Sequence, residues 1–328
     1  MNETTMSSSK TFSRIGLALL VTGVLAFILQ LLLAALPEML SAGDDSFFNS
    51  SWYMWLATFL PMYAVGIPVG LLMMKKAPCE HKEPIQLGGK NFFLFLLMCF
   101  PLMYGGNIIG TLLSTLLSGG AATNGLFQYA FDNNPLKIIV VVILAPLLEE
   151  FLFRKQIIDR CGKYGEKTAI LFSALAFGLF HMNLYQFFYA FALGLLFGYV
   201  YTRTRRLRYS VIMHMVVNFL GSVLAPFLLS NIDSETVMQL LEGQLDEAAL
   251  LTLLPSMAGF MLYAVALIVV SVIGLVILIT KVGKLVYLPA SEELPPKGRF
   301  KTVYCNVGVI LFVLFCLVFI VLALIGLL

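Results

Sequence analysis

The stretch I-L-A-P-L-L-E-E-F-L-F-R-K-Q, residues 143–156, sets two adjacent carboxylates, Glu149 and Glu150, inside an apolar run, with Arg154 one helical turn later. Its surroundings decide what solvent these charges face. Of the 328 residues, 60% are hydrophobic and only 12% charged, where a soluble domain carries about 25% charged residues. Mean hydropathy is +0.93. A helix needs about 20 mostly apolar residues to cross the hydrocarbon. Runs of that kind lie near 15–36, 52–74, 91–117, 136–156, 168–183, 185–202, 209–229, 255–280 and 303–328. They are long and continuous rather than alternating, which excludes a barrel. The fold class is therefore all-α, a polytopic transmembrane helix bundle of about nine spans.

The charges between the runs alternate. Lys10 and Arg14, then Lys75 to Lys90, Arg154 to Lys167, Arg203 to Arg208, and Lys281 to Lys301 fall in one set of loops. Glu38, Asp44 and Asp45, then Asp132, then Asp233 to Glu247 fall in the other. The positive-inside rule then predicts a cytoplasmic N-terminus and, with nine spans, an external C-terminus. The first apolar run is longer than a signal-peptide core and lacks a small-x-small cleavage site, so it reads as an uncleaved helix. The expected setting is the cell membrane, taken as bacterial from the small, Gly- and Met-rich bundle, with the lipid bilayer as solvent and no nucleic-acid partner. The five cysteines, Cys79, Cys99, Cys161, Cys305 and Cys316, form no CxxC pair, which argues against disulfides or a zinc-thiolate site. Three regions follow: 1–135 with three flanking spans, 136–229 with four core spans, and 230–328 with an acidic outer segment and two further spans. Small residues at a spacing of four, such as Ala190, Gly194 and Gly198, read as close helix contacts.

The core region holds nearly all the strongly polar intramembrane side chains. A charge at the centre of a span is unfavourable by about 2.5–3.5 kcal/mol, so such residues pair or face a wet cavity, and mark function. Glu150 and Arg154 stand i,i+4 with the acid first, the favourable order for an ion pair. Glu149 is turned about 100° away, so the same arginine serves it poorly: one glutamate is structural, the other available. Pro146 removes a backbone donor nearby and opens carbonyls toward a cavity. Phe177 and His181 share a helix face in F-G-L-F-H, and His214 and Asn218 share one in H-M-V-V-N. For each residue alone a packing or ion-pair role competes. A Glu, two His and an Asn converging from three helices make a hydrolytic constellation.

The three stretches fit E-E-x-x-x-R at 149–154, F-x-x-x-H at 177–181 and H-x-x-x-N at 214–218. In that order the chain resembles the CPBP family of intramembrane proteases, which includes the eukaryotic Ras-converting CAAX protease and many bacterial Abi-type proteins. The resemblance covers about 136–229. It implies peptide-bond hydrolysis in the membrane, on a membrane-associated peptide or protein, prenylated or of leader type. Glu149 and His181 would activate water. His214 and Asn218 would stabilise the oxyanion or hold a metal, and Glu150, Arg154 and Phe177 would support them. Two routes stay open. One uses no metal; in the other Glu149, His181 and His214 bind Zn2+ with water in the fourth position. The motifs of other intramembrane proteases, H-E-x-x-H among them, are missing. The runner-up readings are a non-catalytic immunity or scaffold protein of the same fold and a proton-coupled transporter.

Depth poses a problem. Glu149 and His214 lie toward the basic-loop end of their spans, whereas His181 lies about 20 Å into its helix at 1.5 Å per residue. The expected resolution is that 163–168 project beyond the membrane and that the site opens on that side.

Overall fold

In the computed structural model the described residues are 7–40, 46–80, 82–122, 124–125, 129–132, 134–230 and 247–327. Among them there are ten helical elements and no strand. These are α1 (Ser8–Met39), α2 (Ser51–Met74), α3 (Gly89–Ser118), α4 (138–161), α5 (Glu166–Phe180), α6 (Leu184–Thr204), α7 (Leu207–Leu229), α8 (Glu247–Val282), α9 (Pro296–Tyr304) and α10 (Val307–Leu324). The expected acidic segment falls largely on 231–246, outside the described residues.

Seven of these helices are long and apolar enough to span a membrane, against nine expected. The two that differ belong to the core. α4 carries Glu149, Glu150, Arg154 and Lys155 in its second half, and α5 has only 15 residues. Their apolar character was traded for charge and for brevity. The spanning helices present a wide apolar surface, with Leu116 and Leu262 about three-quarters exposed, as expected where lipid is the solvent.

At the centre, α6 is sandwiched between α3 and α5. Its small residues permit that approach: a Cβ on Gly194 would press against the Cα of Ala174 in α5, and one on Gly106 of α3 would meet the backbone of Tyr189 in α6. α4 packs on α5, and α7 completes the core against α4 and α6. α1 packs with α2 and α10, while α8 leans on α3 and the end of α7.

The depth problem resolves through the α4–α5 hairpin. α4 runs on to Cys161 and α5 starts at Glu166. About 18 Å of α4 separates Glu149 from that turn, and about 22 Å of α5 separates His181 from it, at 1.5 Å per residue. His214 lies only about 10 Å into α7. The hairpin tip therefore projects past the α6–α7 turn. The segment 285–294 is laid against it: Glu292 and Leu294 donate backbone N–H groups to the carbonyls of Lys163 and Tyr164, and Leu288 donates its own to Glu166.

Candidate active site

α4 is irregular where the chemistry gathers. Its segments Ile138–Leu144 and Glu150–Ile158 are π-helical, with Ala145–Glu149 between them, and such wide turns often mark functional sites. In the first segment the N–H of Ala145 reaches back five residues to the Val140 carbonyl. The next donor in that register belongs to Pro146, which has none. The Val141 carbonyl is thereby orphaned, and Asn218 of α7 donates its Nδ2 to it at 2.8 Å. The carbonyl that the proline was expected to open is the one that fixes Asn218.

The two glutamates separate as the helical geometry predicts. Glu150 is fully buried. It accepts from Arg154 Nε at 3.0 Å and Nη2 at 3.3 Å, and from His214 Nδ1 at 3.2 Å. Arg154, also fully buried, donates Nη1 to Ser173 at 3.0 Å and stacks its guanidinium on the Phe177 ring, 4.6 Å from the centroid. Ser173 in turn donates to the Phe153 carbonyl. Glu149, with 21% of its side chain exposed, has no such saturation. Tyr63 of α2 reaches it at a long 3.4 Å. Its Oε2 stands 3.9 Å from Nε2 of His214, too far for a hydrogen bond.

The imidazoles are oriented by their other nitrogens. Because Glu150 only accepts, Nδ1 of His214 carries a proton and Nε2 faces Glu149. His181, capping α5, holds the Phe177 carbonyl with Nδ1 at 2.8 Å. A carbonyl also only accepts, which leaves Nε2 of neutral His181 with a lone pair. Phe177 stands edge-on to both rings, at 4.9 Å from His181 and 5.8 Å from His214. The sharp turn after His181 passes through Met182 in the left-handed region, and Asn183 then caps α6 by accepting the Gln186 N–H.

Glu149, His181, His214 and Asn218 line one cavity of about 250 Å3. It does not open on the basic-loop side as expected. Its far wall is Phe59, Tyr129, Ala130 and Lys137, at the opposite end of α4. The basic-loop side is plugged. There Asp159 accepts from Tyr201 at 2.9 Å and pairs with Arg205 at 3.0 Å, Arg160 donates to the Met74 carbonyl, and Glu166 pairs with Arg203. A second, apolar cavity of about 690 Å3 lies between α3, α7 and α8 and shares Tyr189, Val217 and Asn218 with the first.

For zinc, the donors must converge. Among the described residues no three His, Cys, Asp or Glu side chains gather closely enough to hold a metal ion. Glu149 and His214 face each other, but His181 does not complete a shell with them. The arrangement as it stands does not fit the three-ligand alternative.

Residues 131–220 match the family described as type II CAAX prenyl endopeptidase, Rce1-like. That stretch holds all three motifs on which the resemblance to the CPBP family rests. Relatives carry the same signal. YdiL of Bacillus subtilis, named as a membrane peptidase, is 38% identical over 88 residues, 26% of this chain and 35% of that protein. MroQ of Staphylococcus aureus, named as a membrane-embedded CAAX protease, is 28% identical over 179 residues, 51% of this chain and 70% of that one. The chain thus spans about a third of the first relative's length and over two-thirds of the second's. No solved structure matches. With seven apolar helices among the described residues and bacterial relatives, the chain is a multi-pass bacterial membrane protein.

Several residues of the cavity fall outside the three motifs. Tyr63 comes from the flanking region 1–135, and Tyr189 and Gln186 from α6, where Gln186 donates to the Tyr189 hydroxyl at 3.0 Å. Aromatic residues are too frequent in these spans to single them out. Lys137 alone carried a signal, as a lone cation at the acidic-loop end of a span.

Proposed function

We propose that the protein is an intramembrane endopeptidase whose base is Glu149. One observation carries the reading: the unsaturated carboxylate of Glu149 faces the Nε2 of His214 across 3.9 Å, in a cavity that also holds His181 and Asn218. A gap of that size between two polar atoms admits one water or one carbonyl oxygen.

The site holds two carboxylates against one guanidinium. A protonated His214 brings the sum to zero and gives the ring two donors, one held by Glu150 and one aimed into the cavity. Water then donates one hydrogen to Glu149 and the other to the lone pair of His181. As its oxygen attacks the peptide carbonyl, Glu149 takes the proton. The developing oxyanion is met by Nε2–H of His214 and by the second Nδ2 hydrogen of Asn218. The Tyr189 hydroxyl, which accepts from Gln186, has its own hydrogen free to join them. Glu149 then passes its proton to the leaving amine. The adjoining apolar cavity suits a membrane-associated substrate with a hydrophobic segment.

The test is mass spectrometry of new peptide termini, after purified protein in nanodiscs is incubated with membrane-extracted polypeptides. New termini that appear with the native protein and vanish with Glu149→Gln support the reading. Their absence from the native reaction, or their persistence in the variant, overturns it. The zinc alternative is addressed in the same assay by chelation and by metal analysis of the purified protein. Cleavage is expected to survive chelation.

A further inference from the structure

Lys137 lies where no catalytic argument needs a cation. It sits at the start of α4, half-buried, and lines the far end of the cavity that begins at Glu149. Its ammonium has three donors. One goes to the Ala130 carbonyl at 2.8 Å. Among the described residues it makes no ion pair. Asp132, the acid whose charge it feels, is engaged elsewhere: Oδ2 accepts from Ser51 and from Trp55 Nε1, and Oδ1 accepts from the Asn134 N–H. A lysine that merely reaches for bulk water would leave the cavity wall. This one stays in it with donors to spare. The helix start beneath it adds the same sign of potential.

From this placement, and resting on the endopeptidase reading, we infer that Lys137 is a binding site for a carboxylate of the substrate, at the opposite end of the cavity from the hydrolytic water. The spacing sets the register. Lys137, just before α4, and Glu149 are twelve positions apart, at most about 18 Å along the axis since part of the span is π-helical. An extended peptide advances about 3.3 Å per residue, so the carboxylate stands no more than about five residues from the scissile bond. It is either the C-terminal carboxylate of a short tail or an Asp or Glu side chain at that position. Lys137 selects by charge, because a lysine is a compact point cation rather than a planar fork.

The experiment uses the full chain in nanodiscs and paired apolar decapeptides. One pair differs as C-terminal acid against C-terminal amide; the other pairs differ as Asp against Asn, moved along the peptide. Binding is read by fluorescence anisotropy with the Glu149→Gln protein, so that cleavage does not intervene. The acidic member of one pair is expected to bind about tenfold more tightly than its neutral partner, the scale of one charge-assisted contact. Adding Lys137→Gln brings that ratio to about one, and Lys137→Arg restores most of it. Which pair responds tells the terminal carboxylate from the side chain. Equal binding of every pair, or a preference that survives Lys137→Gln, overturns the inference. A preference that depends on Lys137, in a protein whose Glu149 form cleaves no peptide, leaves this site standing and removes the endopeptidase reading. Cleavage without any acid preference does the reverse.

Discussion

The two halves of α4 are opposites. From Glu150 to Cys161 nearly every charge is matched: Glu150 by Arg154 and His214, Asp159 by Tyr201 and Arg205, Arg160 by the Met74 carbonyl. From Ile138 to Glu149 groups are left short. The Val141 carbonyl has lost its helical donor, Glu149 has one long bond, and Lys137, just before the helix, uses one of its three donors among the described residues. The C-terminal half is solid and forms the floor; the N-terminal half lines a hollow. The contrast teaches how a membrane protein can hold a reactive carboxylate. A burial cost that would otherwise fall on Glu149 and its neighbours is absorbed below them by a saturated network. One carboxylate can then stay unsatisfied without the helix leaving the bilayer.

The largest way to break the contrast is to damage the floor. Arg154→Met leaves Glu150 buried without its guanidinium, and removing one partner of a buried pair costs about 3–5 kcal/mol. Chemical or thermal unfolding of the variant in nanodiscs is expected to register that loss; an unchanged midpoint would mean the pair is not holding the floor together. Next comes the hollow. Asn218→Ala removes the proposed oxyanion donor, a change worth about a hundredfold or more in rate, and re-orphans the Val141 carbonyl at about 1 kcal/mol. Cleavage rate should fall far more than the melting point does. A variant that melts early but cleaves normally would make Asn218 purely structural.

The smallest effect sharpens the rim of the hollow. Burial acts to raise the Asp132 carboxyl, but the hydrogen bonds from Ser51, Trp55 and the Asn134 N–H, with the charge of Lys137, outweigh it and hold it below the ordinary aspartate range. A carboxyl lowered in this way adds stability that is complete above the unfolded value of about 3.9. That stability is lost as pH falls through the lower folded value. Melting curves between neutral and strongly acidic pH should therefore show a decline confined to the acid end, and Asp132→Asn should flatten it. The same decline in both proteins would show that Asp132 is not its source.

Much of this was legible before any coordinates. Hydropathy and loop charge identify a helical membrane bundle, and the i,i+4 geometry of Glu150 and Arg154 separates the two glutamates. Pro146 marks a freed carbonyl, although its acceptor role toward Asn218 depends on a five-residue register that sequence does not specify. Apolar length and composition pick out seven spans among the described residues rather than nine, because α4 is too charged and α5 too short to be read that way. The direction in which the site opens is hidden for a related reason. The depth of single residues does not set it; the opening is decided by which end of α4 is packed shut. The basic side is shut by contacts among Asp159, Tyr201, Arg205 and Arg160, distant in sequence. Tyr63, from a helix far away in the chain, had no local signature at all.

The account rests on one distinction, that Glu150 holds the structure and Glu149 does the chemistry. Glu149→Gln and Glu150→Gln, purified in parallel, give the direct comparison of peptide cleavage and thermal midpoint. The first is expected to keep the native midpoint and lose cleavage by about a thousandfold, within the range of a lost general base; the second is expected to lower the midpoint. Native-rate cleavage by Glu149→Gln, or a drop in its midpoint as large as that of Glu150→Gln, would contradict the account.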